Sequence, residues 1–184
     1  MGIMSVFNDC MYRNMYRYRY VNVLDLDEAI IPRIDSNYSG MVARIEKDKR
    51  MPYSAHQYTV RNAYFWVGCD KHWNKKTYFF HFDTREKASE LYLSPKSFED
   101  PRTCLCIFNH YCWKKMENLK GEIVVHVDEK IALLHHYRQL YANKAKTLCD
   151  RLRTDGIKDT SVIQHKNKIH QRIQERQRIT QVRS

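Results

Sequence analysis

The first regular pattern along the chain is helical. Phe7, Met11, Met15 and Tyr18 recur at spacings of four, four and three, one apolar stripe of an amphipathic helix. Ser5, Asn8 or Asp9 would cap its start. Arg13, Arg17 and Arg19 fall off the stripe toward the C-terminal end, where positive charge suits the helix dipole. The period then changes. Residues 20–24 form a short β-rich run that breaks into Asp25-Leu26-Asp27-Glu28; apolar positions resume at Ala29-Ile30-Ile31, and Pro32 closes the segment. Residues 36–56 are polar and predict a loop with one helical turn around 41–49. Residues 58–66, 77–82, 103–111 and 121–127 predict strands, and 85–93 a short helix capped by Asp83 or Thr84. An apolar segment, 131–141, ends in His-His-Tyr-Arg. After it, Val162, Ile169 and Ile173 give only a weak helical stripe. The pattern predicts a mixed α/β body over 1–141 and a loosely docked, basic helical tail over 142–184.

Composition and charge narrow the class. Of 184 residues 43% are hydrophobic and 13 are tyrosine, too much for a disordered chain. The net charge is +11, but residues 138–184 hold 12 Lys and Arg against 4 acids, while 1–137 hold 20 against 17. A nearly balanced body with a basic tail argues against a polyanion-binding surface as the main function, so no nucleic-acid partner is expected. The six cysteines contain no C-x-x-C pair, which removes zinc-ribbon and thioredoxin readings. An even count permits disulfides, and on a strand Cys104 and Cys106 would share a face. No stretch approaches the roughly 18–20 apolar residues of a membrane-spanning helix. Residues 1–5 have no signal-peptide character.

The candidate chemistry lies in the acidic run. If residues 25–27 continue the strand, Asp25 and Asp27 project to one face. Two carboxylates at an open strand end suit a hard divalent cation that keeps positions free for diphosphate oxygens. Such a cation offsets charge building on a departing diphosphate. A solvated turn would also place acids there.

A longer order of motifs extends this. Asn8-Asp9-Cys10-Met11-Tyr12-Arg13, Tyr20-Val21, Leu24-Asp25-Leu26-Asp27-Glu28 and Ile31-Pro32-Arg33 are followed by Lys96-Ser97, Pro101-Arg102 and Asn109-His110-Tyr111-Cys112. Ala132-Leu133-Leu134-His135-His136-Tyr137-Arg138 closes the series. In that order, over residues 8–138, the chain resembles glycosyltransferase family 92. It departs at Ala29, where an aromatic is usual, and at Phe98, where an aliphatic residue is more common. The resemblance implies a GT-A, Rossmann-like α/β fold and an inverting transfer of a hexose, with UDP-galactose as donor and manganese as cofactor. A glycan or glycoprotein acceptor and a Golgi-membrane, lumenal location are also implied.

Carried over, Asp25 and Asp27 become the metal and donor carboxylates and His136 the third metal ligand, with His135 the alternative. Asp25, Lys96 and Arg138 become donor-binding groups. The base that takes the acceptor proton is harder to read; Asp70, after Trp66-Val67-Gly68-Cys69, is the candidate, with Asp83 and Asp100 as rivals. Only about 20 residues precede Asp25, fewer than the roughly 30 of a βαβ unit, so an N-terminally incomplete domain is expected, its membrane anchor lying upstream. Two other readings stay open. Tyr12-Arg13-Asn14-Met15-Tyr16-Arg17-Tyr18-Arg19-Tyr20 could stack bases in a nucleic-acid-binding module. A degenerate transferase without turnover is the other.

Overall fold

The computed structural model describes residues 2–48, 55–69, 80, 82–117, 124–140 and 145–182. Helix α1 (Ile3–Asn14) opens the chain, β1 (Val21–Asn22) and β2 (Glu28–Pro32) follow, and α2 (Tyr38–Lys47) packs behind them. Strands β3 (Gln57–Val60) and β4 (Asn62–Val67) are separated by Arg61 alone and enter two different sheets. Next come β5 (Thr84–Arg85), β6 (Lys96–Glu99), the hairpin β7 (Cys104–Ile107) and β8 (Cys112–Lys115), then β9 (Val124–His126) and β10 (Ala132–Gln139). The C-terminal part holds α3 (Ala145–Asp155), β11 (Ile157–Lys158), a 3-10 turn (Ser161–His165) and α4 (Lys166–Val182). Mixed α/β content is as expected.

Two sheets carry the core. One has the order β1-β6-β3-β9, the other β2-β10-β4, with β10 antiparallel to β2 and parallel to β4. Ile30, Ala132 and Leu134 of the second sheet meet Tyr58, Val60, Phe98 and Val125 of the first, closed by Met41, Val42 and Ile45 of α2. The i, i+3/i+4 spacing of those three residues gives α2 its buried side, and Asn37 caps it by accepting from the Gly40 N–H at 2.8 Å.

Because side chains alternate along β10, its odd positions face the other way. Leu133 packs on Ala63 and Ala88, and Tyr137 on Phe65, Val67 and Phe82. That second face is covered by the segment expected to be a loose tail. β11 pairs with β5, and Asp159, 2% exposed, lies beneath it. Asp159 accepts from Arg85 Nε at 2.7 Å, Arg33 Nη1 at 2.6 Å and the Ser161 hydroxyl at 2.6 Å. A disulfide joins Cys69 to Cys149 across 80 residues of sequence, a loop length for which chain-entropy arguments give about 4 kcal/mol. Residues 145–165 are therefore packed into the body; helix α4 is largely exposed and basic.

Other expectations change for local reasons. Residues 85–93 are not helical: the Glu86 and Ser89 N–H groups donate to the Tyr64 and Asn62 carbonyls, so the chain runs extended along the β4 edge. The expected strand 103–111 is half of a hairpin whose irregular register separates Cys104, bonded to Cys112, from the free Cys106. Helix α1 ends at Asn14, before Met15 and Tyr18, and Gly2 precedes it without a side-chain cap; Asn8 instead bonds the Ile107 backbone. Much of residues 77–82 lies outside the described residues.

Asp159 is the test of the docked tail. Its carboxyl is held well below the usual range: burial alone would raise it, but the Ser161 and Arg85 hydrogen bonds outweigh that. Asp159→Ala leaves Arg85 buried without its carboxylate and should cost about 3–5 kcal/mol in chemical denaturation. The depressed carboxyl contributes stability above the unfolded-state value near pH 4, lost as pH falls toward the folded value. Part of the wild-type acid lability below about pH 4 should therefore be missing in Asp159→Asn.

Candidate active site

The acidic run is a turn, not the end of a strand. The Glu28 N–H donates to the Asp25 carbonyl at 3.1 Å, and the Glu28 carboxylate reaches back to accept from the Asp25 N–H at 3.0 Å. The expectation that Asp25 and Asp27 share a strand face is therefore corrected: the two diverge to different partners. The turn is tied to β10 through the Asp27 carbonyl, which accepts from the Tyr137 N–H at 2.8 Å.

Asp25 turns to Lys96. The Lys96 ammonium is fully buried at the start of β6, 3.1 Å from Asp25 Oδ2, 3.0 Å from Glu28 Oε2 and 2.6 Å from Asn109 Oδ1. The ammonium donates to Asp25 and Asn109, and Glu28 adds a second carboxylate as an ion pair. Burial alone would raise the Asp25 carboxyl, yet the Lys96 hydrogen bond and charge hold it below the usual range. Lys96, expected to neutralise donor phosphate, is here enclosed and directed to Asp25, Glu28 and Asn109 of its own chain.

Asp27 turns to His136, whose Nε2 lies 3.3 Å from Asp27 Oδ2. On the other side of the ring, Nδ1 is 3.4 Å from Glu28 Oε1, with the Asn62 amide also 3.4 Å away. A proton on Nδ1, facing Glu28, leaves the Nε2 lone pair directed to the Asp27 side. Glu28 is 7% exposed, so it holds the ring from within the fold while Asp27 stays accessible. His135 cannot exchange roles with its neighbour. It is fully buried on the opposite face, 3.0 Å from the Tyr137 hydroxyl, and burial pushes its imidazole down to about 3.

The register of the three strands extends the site sideways. Glu28, His136 and Tyr64 form one row across β2, β10 and β4, and Arg138 and Trp66 form the next. Tyr64 and Trp66 stack at 5.5 Å, Tyr64 lies 5.1 Å from the His136 ring, and the Arg138 guanidinium sits 5.9 Å from both aromatic centroids. Arg138 is thus two residues along the strand from His136, on the same face, over an aromatic shelf.

Three carboxylates and one ammonium leave two surplus negative charges, with Asp25 and Asp27 half-exposed and His136 Nε2 directed to the Asp27 side. Two ligands about 2.2 Å from one cation at a right angle are about 3.1 Å apart, close to the observed Asp27–His136 spacing. Among the described residues no three His, Cys, Asp or Glu groups are arranged to hold a metal; Asp25 and Glu28 each direct an oxygen to Lys96 instead. Asp27 and His136 fit a cation as a pair, with its remaining positions left for oxygens from a ligand or water.

Of the candidate bases, Asp100 is chelated by the Arg102 backbone and guanidinium at 2.7–3.0 Å, and Asp83 lies 3.1 Å from Lys158 and accepts from Thr84. Both are held below the usual carboxyl range: burial opposes this, and the hydrogen bonds from Arg102 and Lys158 respectively overcome it. Asp100 opens a turn, and Asp83 sits directly before β5. Asp70 lies outside the described residues.

The model of glycosyltransferase family 92 matches residues 1–179. The chain belongs to glycosyltransferase family 92. No curated protein matches the chain significantly. Family membership covers α3 and most of α4 as well as the body, in keeping with the docked segment around Asp159. In this family 92 chain the sequence reading missed Glu28, Asn109 and Tyr64. Glu28 was in view as the end of the acidic run; only the turn shows that it faces inward, toward Lys96 and His136.

Removing the ammonium tests this arrangement. Lys96→Met leaves Glu28 buried without its counter-charge and should destabilise the fold by about 3–5 kcal/mol in urea denaturation. Arg138→Ala, at an exposed position, should change stability by no more than about 0.5 kcal/mol.

Proposed function

We propose that this chain is a GT-A-type glycosyltransferase that holds the donor diphosphate through a divalent cation, with manganese the expected ion, and transfers galactose from UDP-galactose with inversion. The observation that carries this reading is the 3.3 Å approach of His136 Nε2 to Asp27 Oδ2, backed by Glu28. Asp27 and His136 would hold the cation, which when bound would offset charge on the departing diphosphate. A nitrogen ligand beside oxygen ligands favours manganese over calcium.

The chain's own residues divide the remaining work. Lys96 and Glu28 fix the turn and the ring before any ligand arrives, so little reorganisation is left for the binding step. Arg138, about 7 Å along the strand from His136 at 3.3–3.4 Å per residue, is the cation we assign to a donor phosphate. The acceptor hydroxyl must lose its proton as it attacks, and Asp70 remains the base we propose. Two disulfides support maturation in an oxidising compartment, consistent with the Golgi lumen. Among the described residues no helix is long and apolar enough to cross a membrane.

The test combines binding and turnover. Manganese with UDP should raise the melting temperature of the wild-type chain. Asp27→Ala and His136→Ala should each remove that shift and lower galactose transfer at least about 100-fold, the size of effect seen when charge-stabilising groups are lost. Asp70→Asn should lower turnover while the UDP-dependent shift persists. A manganese–UDP shift unchanged in both Asp27→Ala and His136→Ala would remove the reading.

A further inference from the structure

The face of the β1-β6-β3-β9 sheet turned away from the core is polar, which is unusual for a buried surface. Gln57, Thr59 and Ser97 are each 6% exposed or less. They satisfy one another: the Gln57 amide donates to Thr59 Oγ1 at 2.8 Å and to Ser97 Oγ at 3.1 Å. Above Gln57 and Thr59 opens a cavity of about 390 Å3, whose walls include His126, Tyr92, Tyr111 and Trp113. This volume lies within the roughly 300–1,000 Å3 typical of small-molecule sites.

Three features point to the occupant. The aromatic walls are exposed to a degree that apolar rings seldom reach without a reason: Tyr92 81%, Trp113 68% and Tyr111 47%. Tyr92 meets His126 edge-on at 5.3 Å, and His126 Nδ1 is buried with no hydrogen-bond partner. A buried ring nitrogen without a partner is costly unless a ligand supplies one. Among the lining residues Lys115 carries the one formal charge, too little for a polyphosphate. Flat rings beside a floor of amide, hydroxyl and imidazole match a ligand with apolar C–H faces and a rim of hydroxyls.

We propose that this cavity is a carbohydrate-binding subsite for neutral hexose units, with Trp113 and Tyr92 stacking on sugar faces and Gln57, Thr59 and His126 bonding hydroxyls. It is separate from the Asp27–His136 site but mechanically joined to it. Lys96 and Ser97 are consecutive on β6 and point to opposite faces, and the turn before β8 serves both: Asn109 bonds Lys96, and the His110 carbonyl accepts from the Ser97 hydroxyl at 2.9 Å. A glycan chain anchored here would present a neighbouring unit toward the transfer site. That the bound glycan is the acceptor rests on the transferase reading; that the cavity binds glycan does not.

Saturation-transfer NMR and calorimetry on the whole chain, with lactose, cellobiose and chitobiose as probes, test it. At least one should bind with Kd on the order of 1 mM, as expected of a single small subsite. Trp113→Ala and Tyr92→Ala, both at exposed positions, should each weaken that binding at least tenfold with melting unchanged. Asp27→Ala should leave disaccharide binding intact while removing any manganese–UDP response, so the two readings fail separately. Absence of binding for all three probes to about 50 mM, or wild-type affinity in both Trp113→Ala and Tyr92→Ala, overturns the subsite.

Discussion

A lysine ammonium with no solvent contact is unstable unless it is hydrogen-bonded and its charge is compensated; Lys96 donates to Asp25 and Asn109 and is paired in charge with Asp25 and Glu28. Those partners come from the turn before β2 and the turn before β8, so one group ties three distant stretches of chain at the edge of the candidate site. The same contact engages one oxygen each of Asp25 and Glu28. Asp27 faces outward beside His136, and the other Glu28 oxygen is left to hold the His136 ring. The chemistry open to the site follows from how that one buried charge is satisfied.

β10 is where the two halves of the structure meet. Its consecutive histidines lie in opposite environments because strand side chains alternate. His136 faces Asp27 at the accessible side, whereas His135 faces the Asp159 cluster and is held neutral by burial. A strand paired on both sides, to β2 and β4, has little freedom to shift, so the separation of these roles is fixed by register. The Asp159 cluster then anchors the C-terminal segment to Arg33 at the end of β2 and Arg85 in β5, and the Cys69–Cys149 bond adds a covalent tie. The cover on one face of the sheet thus supports the catalytic candidates on the other.

The tyrosine- and arginine-rich stretch after α1 illustrates how composition can point two ways. Tyr12 donates to the Leu105 carbonyl, Arg13 pairs with Asp9, Arg19 with Glu46, and Tyr20 packs edge-on against Tyr58 in the core. Tyr12, Arg19 and Tyr20 thus join α1 and its exit to the body, whereas Arg13 pairs within α1 and Tyr16 and Tyr18 are exposed. The family 92 match over residues 1–179 includes the stretch.

The sequence by itself determined the family, through an ordered set of short motifs, and pointed to a candidate site, through an acidic run framed by apolar residues. It also determined mixed α/β content, because periods of 3.6 and 2 are local properties of the chain. What only the tertiary structure decided were the partnerships. Whether Asp25 and Asp27 act together depended on a turn closed by Glu28, which no alternation rule predicts. His135 and His136 were equivalent in the sequence until strand register placed them on opposite faces. Lys96 read as a donor-binding group and Asp159 as part of a loosely docked tail, since burial of a charge is set by partners far away in sequence: Lys96 is 71 residues from Asp25, and Arg33 is 126 from Asp159. Local pattern specifies elements; long-range electrostatics and pairing specify which side chains face one another.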